Sequence, residues 1–450
     1  MSASRAPRRI ADGVAYVSCR DAAATADARR RYSFREAVFS GWAEDGGMLM
    51  PERIPRIPRD TLDAWRQRTT ALTYPECCFA VLRMFIPRED ISDGILRGII
   101  MDGGGAFAGF GHRDVVRRAC ISGATVLELF HGPTLAFKDL GMQILCKILG
   151  HYLERSGTRL NLLVGTSGDT GSSAIESVKD IPRVTITVLY PGCKRISRLQ
   201  ELQMTTSDGS NGVKVIAVDG TSDDLDVPME QVFGDVEFRK RHSIGSVNSV
   251  NICRVLVQIA HFVWAAVSTP KGSNRIRFFV PTGAGGHVTA GVMARAMLAE
   301  DDKLVELHVA TNKNDAFHQI LSTGAVSSDS TKVVTQSVSP SMDIAVPYNL
   351  ERLMWLASME GENQVDHCLA AAKLMRSFKE TGAIVLPAIM REQMVAVCGI
   401  TGSSSHSNAS TLATIKIVND EDGYVLDPHT GDADSELMKL LMRVRERTVR

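Results

Sequence analysis

From residue 160 onward the sequence keeps returning to one pattern: a short β-branched run, a turn of small residues, then a helical stretch. Leu160 to Val164 reads as a strand, followed by a Gly/Ser/Thr turn and a helix from about Gly171 to Val178. Val184 to Tyr190 and Val213 to Val218 repeat it, with helices at Ile196 to Thr205 and Leu225 to Arg241. Ile276 to Val280 precedes a helix at Val288 to Leu298, and Leu304 to Ala310 is a further strand. Strand, turn and helix at this interval predict an α/β fold built on parallel sheets. Ligands of such sheets bind at the carboxyl ends of the strands. The chemistry is therefore expected in the turns after Val164, Tyr190, Val280 and Ala310. The chain before Gly123 differs. Ser33 and Glu36 have capping-box spacing that opens a helix from Phe34 to Trp42. Val81 to Ile86 and Ile95 to Met101 have the apolar spacing of a helical layer. Gly402 to Ser410 reads as a solvated Ser-rich loop.

Charge and cysteine use narrow the partners. The 51 Lys plus Arg are offset by 51 Asp plus Glu, which leaves no basic footprint for nucleic acid. No run approaches the ~18 apolar residues that span a bilayer. Ile252 to Val267 comes nearest, but it holds Arg254, Gln258 and His261 and reads as a buried helix. The nine cysteines include no C-x-x-C pair and no zinc spacing, so no metal is expected and the thiols read as free in a reducing compartment. Arg5, Arg8 and Arg9 give an N-terminal cluster without a following apolar run, which favours cytoplasm over mitochondrion.

Three segments carry candidate chemistry. Gly165 to Ser173 follows a strand and opens a helix, with three glycines and five hydroxyls. It reads as an anion cradle for carboxylate or phosphate. Pro281 to His287 follows another strand. Its Gly283-x-Gly285 lacks the third glycine of a dinucleotide fingerprint, since Val288 stands there, so a single phosphate group is the better ligand. In His131 to Gly141, Lys138 lies among small and apolar residues at a helix start. Desolvation there lowers a lysine's pKa and suits it to a Schiff base. One lysine and two anion cradles are the handles that pyridoxal phosphate and an amino-acid substrate require.

Taken together and in order, these segments resemble the threonine synthase family of fold type II pyridoxal-phosphate enzymes, from about Tyr16 to about Thr430. Further matching segments are Phe34 to Phe39, Asp45 to Pro51, Leu127 to Asp139, Asn248 to Asn251, Ala310 to Asp315 and Ser341 to Ile344. Val346 to Asn349 and Gly283 to Gly286 look closer to the threonine synthase-like phospho-lyases of animals. The resemblance implies a tryptophan-synthase-β-like architecture. A helix-rich N-terminal domain (1–124) would precede a large cofactor-binding α/β domain (125–158 and 245–450) and a small substrate domain (159–244).

The same resemblance assigns roles. Lys138 would carry the pyridoxal 5′-phosphate and move protons. Gly283, Ala284, Gly285 and Gly286 would cradle its phosphate, with Asp169 beside the ring. Thr166, Ser167, Gly168, Thr170 and Asn251 would bind the substrate. Lys194 and Arg254 would meet the substrate phosphate, with Arg195 and Arg198 as further candidates. The implied reaction converts O-phosphohomoserine and water to threonine and phosphate, in a monomer or homodimer. A catabolic lyase giving 2-oxobutyrate, ammonia and phosphate is the alternative. Only twenty residues follow Thr430 and read as one charged helix. The family's further strand, which carries a hydroxyl toward the ring nitrogen, has no counterpart among them. That leaves a third reading, a weakened or non-catalytic homologue with an uncovered sheet edge.

Overall fold

The computed structural model describes residues 14–435, except 22–28, 69–70, 122, 167, 193–195, 221–222, 270–274, 300–303, 332–333 and 359–363. Two parallel sheets form, as the alternating pattern predicts. The smaller runs Val213–Val218, Val184–Pro191, Leu160–Gly165 and Ile244–Gly245 in spatial order. The other runs Ile400–Ser405, Leu304–Thr311 and Arg275–Pro281. Arg275–Pro281 has a strand neighbour on one side only among the described residues.

In the helix Ile252–Ser268 every residue but Ala265 and Ser268 is buried. A helix apolar on all sides needs packing on all sides. It receives helices Tyr74–Arg83, Lys138–Ser156 and Gly286–Met297. Asn251 starts it as N-cap, its side chain accepting from the Cys253 amide at 3.1 Å. The N-terminal helices also follow their caps: Ser33 with Glu36 opens Phe34–Ser40, and Thr73 with Glu76 opens Tyr74–Arg83.

Two expectations change. Leu225 to Arg241 is not one helix but Asp226–Gly234 followed by Val236–His242, with Asp235 capping the second through Phe238 N. A side-chain acceptor at Asp235 competes with continued helix. Gly402 to Ser410 is not a solvated loop. Its first half belongs to strand Ile400–Ser405, paired in parallel with Leu304–Thr311, and Ser407 then caps the helix Asn408–Asp422. Small hydroxyl residues fit there because the strand packs against His308 and His318, which bond Ser404 and Ser403 at 3.2 and 2.8 Å. Two further strands, Arg117–Ile121 and Ala124–Glu128, pair antiparallel with Ile121 opposite Ala124. Residues 428–435 are helical, and the rest of the expected C-terminal helix lies outside the described residues.

One buried charge ties the parts together. Arg352 is fully buried and donates to the carbonyls of Leu49, Ser249 and Val250 and to Asn349 Oδ1, the shortest bond being 2.6 Å. Glu351 beside it accepts from Arg20 at 2.7 Å and from the Met48 amide at 2.9 Å. Arg352→Met should leave those acceptors unpaired and lower stability by about 3 kcal/mol or more. Urea unfolding followed by tryptophan fluorescence measures the loss.

Candidate functional site

The turns after Val164 and Val280 open into a cavity of about 1250 Å³, whereas no described residue of the turns after Tyr190 and Ala310 lines it. Lys138, Asp169, Thr170, Arg254 and Gly283 to Gly286 all line it. Segments up to 148 residues apart in sequence thus meet at one place.

Lys138 is the first residue of Lys138–Ser156. The loop before it is held by a buried carboxylate: Asp139 accepts from Thr134 N at 2.8 Å and Thr134 Oγ1 at 2.6 Å. A Cβ at Gly132 would lie 2.4 Å from Asp139 Cβ, so the loop closes only over glycine. Lys138 Nζ faces Asp169 Oδ2 at 3.4 Å and lies over the Phe137 ring at 5.0 Å. Burial lowers the amine's pKa; Asp169 opposes that and the Arg254 charge adds to it. Burial alone would raise Asp169. The Lys138 charge, then hydrogen bonds from Ser341 and Gln200, hold it well below the carboxylate range instead. Asp169 therefore has both the basic and the hydrogen-bonding neighbours its position requires.

The turn after Val280 is a cradle of amides. Gly285 has φ +83°, and a Cβ there would lie 2.5 Å from Phe317. A Cβ on Gly283 would lie 2.9 Å from Met342 Cα. The Ala284 carbonyl is turned away from the cavity mouth, since it accepts from both N and Nδ2 of Asn349 at 3.0 Å. The amides of Gly283 to Gly286 donate no bond among the described residues, and they stand at the start of helix Gly286–Met297. Unpaired donors at a helix start are an anion site. His287 follows, bonded to Gln258 at 3.1 Å; burial lowers its pKa to about 4 and keeps it neutral.

The remaining sequence candidates divide. Arg254 is buried, donates to the Val247 carbonyl at 3.1 Å and leaves Nε without a partner. It is a cation with donor capacity to spare. Thr166, Gly168 and Asn251 do not line the cavity. Thr166 Oγ1 instead accepts from the Gly168 and Gly171 amides at 2.9 and 3.0 Å and shapes the loop. Gly168 has φ +145°, and Gln200 occupies the space of its missing Cβ. Asn251 spends its amide on Val38 and Ser246 carbonyls. Arg198 is exposed and paired with Glu201 at 2.7 Å. Ser167, Lys194 and Arg195 lie outside the described residues. Sequence reading missed Gln200, whose Nε2 donates to Asp169 Oδ1 at 2.8 Å, and Ser341, whose hydroxyl donates to Asp169 Oδ2. It also missed Asn349, His287 and His429. Among the described residues no group of His, Cys, Asp and Glu is placed to hold a metal, and no helix is long and apolar enough to cross a membrane.

Comparison with known proteins places this geometry. Residues 15–103 match the family described as threonine synthase N terminus. Threonine synthase-like 2 of Rattus norvegicus is 39% identical over 412 residues, covering 90% of this chain and 80% of the relative. Threonine synthase of Schizosaccharomyces pombe is 34% identical over 442 residues, covering 93% and 83%. The crystal structure of pyridoxal-phosphate-bound threonine synthase from Brucella melitensis superposes with a TM-score of 0.80 at 32% identity, covering 94% of this chain and 85% of that one. The α/β architecture with two parallel sheets is thus the fold type II architecture of that enzyme.

Two outcomes follow from the geometry. Gly285→Ala should destabilise the chain by about 1–3 kcal/mol, read by thermal unfolding, because it forces a Cβ into positive φ. Asp169→Asn removes the charge that supports the Lys138 ammonium. The Nζ titration midpoint should then fall by about 1–3 pH units, read by pH-dependent amine labelling and mass spectrometry.

Proposed function

Because this chain belongs to the threonine synthase family, we propose that it is a pyridoxal-phosphate-dependent carbon–oxygen lyase that converts O-phospho-L-homoserine and water to L-threonine and phosphate. The observation that carries this reading is the meeting of Lys138, a paired Asp169 and a cradle of free amides in one cavity. These residues fit the cofactor: a desolvated amine for its aldehyde and unpaired amides for its phosphate, in a turn that leaves no room for a Cβ at Gly283 or Gly285.

When bound, the cofactor supplies an electron sink for carbanions of the amino-acid substrate. Lys138 Nζ would hold it and would be the group that takes and returns protons at the substrate carbons. Gly283, Ala284, Gly285 and Gly286 bind its phosphate through backbone N–H groups. Asp169 faces Lys138 and Gln200, which keeps its charge neutralised beside an anionic substrate. Thr170, Ser167 and the start of helix Asp169–Val178 take the substrate carboxylate, and Thr166 and Gly168 shape that loop. Arg254, with its free Nε, and Lys194 meet the substrate phosphate. The N-terminal, large and small domains divide as 1–124, 125–158 with 245–450, and 159–244, so the cleft lies between the two α/β units.

A second reading has its own support. Gly283-Ala284-Gly285-Gly286 and Val346 to Asn349 resemble the threonine synthase-like proteins, and the rat relative of that name is 39% identical. In this case the same substrate and water yield 2-oxobutyrate, ammonia and phosphate. The purified chain, given O-phosphohomoserine, should release phosphate and threonine in equal amounts. Phosphate with 2-oxobutyrate and ammonia would establish the second reading, and no phosphate release would overturn both. Lys138→Ala should lower turnover by at least about 10²–10⁴-fold, the usual contribution of a proton-transferring side chain.

A further inference from the structure

Behind the Lys138–Asp169 pair lies a second line of hydrogen bonds that the proposed chemistry does not use. It begins at Asp427, whose Oδ1 is 3.0 Å from His429 Nδ1. Asp427 is itself fixed, accepting from the amides of His429 at 2.9 Å and Thr430 at 3.3 Å and from the Thr430 hydroxyl. At the other edge of the ring, His429 Nε2 is 3.1 Å from the Ser341 backbone nitrogen. A backbone N–H can only donate, so Nε2 must accept and carry no proton. The ring proton is then on Nδ1, donated to Asp427. The two contacts specify one neutral tautomer.

Ser341 lies in the Pro340–Met342 turn. That turn is anchored from below, because Asp343 accepts from Asn312 at 2.8 Å, Asn314 at 3.0 Å and Ser337 at 2.6 Å. Its hydroxyl donates to Asp169 Oδ2, the same oxygen that faces Lys138 Nζ. The hydroxyl and the ammonium therefore compete for one oxygen, while Gln200 holds the other.

We propose that His429 is a positioning residue: its neutral ring holds Ser341 against Asp169 and so limits how strongly Asp169 pairs with Lys138. This rests on the reading of Lys138 as the reactive lysine. Four carboxylates act on the ring: Asp427 and Asp432 from its own stretch, Asp343 beside the turn, and Asp169 with its partner Lys138 across the cleft.

Two substitutions separate this role from mere packing. His429→Gln places an acceptor oxygen where Nε2 stands. His429→Asn can donate to Asp427 but is too short to reach Ser341. The full-length protein is purified with its cofactor, and the cofactor absorbance is titrated against pH. The midpoint should rise by about one pH unit in His429→Asn, the scale of one charge-assisted hydrogen bond, and stay near wild type in His429→Gln. Ser341→Ala should reproduce the rise, and Ser341→Ala with His429→Asn should add nothing to it. An unmoved midpoint in His429→Asn, equal shifts in the two His429 variants, or additive shifts in the double variant would each overturn the proposal. Should His429→Asn not fold, Ser341→Ala decides alone, and an unmoved midpoint there is fatal. Labelling of the Lys138 amine after cofactor removal reads the same line of bonds without the cofactor. If Lys138→Ala keeps the absorbance, the functional reading fails, while amine midpoints in the stripped variants still judge the role of His429.

Discussion

The buried guanidinium of Arg352 is the constraint on which the rest of the molecule hangs. A charge with no access to water must be fully hydrogen-bonded. Arg352 meets that demand at both terminal nitrogens, though not at Nε, by drawing acceptors from three distant segments, the carbonyls of Leu49, Ser249 and Val250 and the side chain of Asn349. The N-terminal layer, the start of the central helix and the amide cradle are thereby fixed relative to one another. Asn349 passes the constraint on, since its side chain and backbone both bind the Ala284 carbonyl. The orientation of the cradle amides is a consequence: with that carbonyl pinned, the neighbouring N–H groups face the cavity.

Across the cleft the logic is different. Asp169 opens the helix Asp169–Val178 and Gln200 lies on Arg198–Thr205, while Lys138 opens Lys138–Ser156 and Ser341 lies in the Pro340–Met342 turn. No single element completes the site. Asp169 is the meeting point, bonded by Gln200, Lys138 and Ser341. Its very low pKa records how many donors have been brought to it.

Much of this was legible in the sequence because the signals are local. The strand, turn and helix units after Leu160 and the cap at Ser33 depend on residues within a few positions of one another. Lys138, Asp169 and the glycines of 283 to 286 stood out for the same reason. Gln200, Ser341 and His429 did not. A glutamine on a helix, a serine in a turn and a histidine after a proline have no local signature, and their roles arise from contacts 31, 172 and 88 residues away in sequence. Asn251 shows the reverse error: its residue type suits a substrate ligand, but its amide is consumed in capping a buried helix. The serines after Gly402 misled because polarity was read as exposure, while Ser404 meets buried His308 and Ser403 the half-buried His318.

Lys138 opens a helix of 19 residues. Peptide dipoles leave partial positive charge at such a start, where an ammonium is unfavourable by about 0.3–1 kcal/mol. A sequence chosen for foldability alone would put an acid or a hydroxyl residue there. Asp139 supplies the complementary charge one position later, and its side chain turns back to hold the preceding loop. The order Lys-Asp thus sets a local conflict and its relief side by side. Reactivity and foldability pull in opposite directions at a single peptide bond, and the conflict is confined to one helical turn.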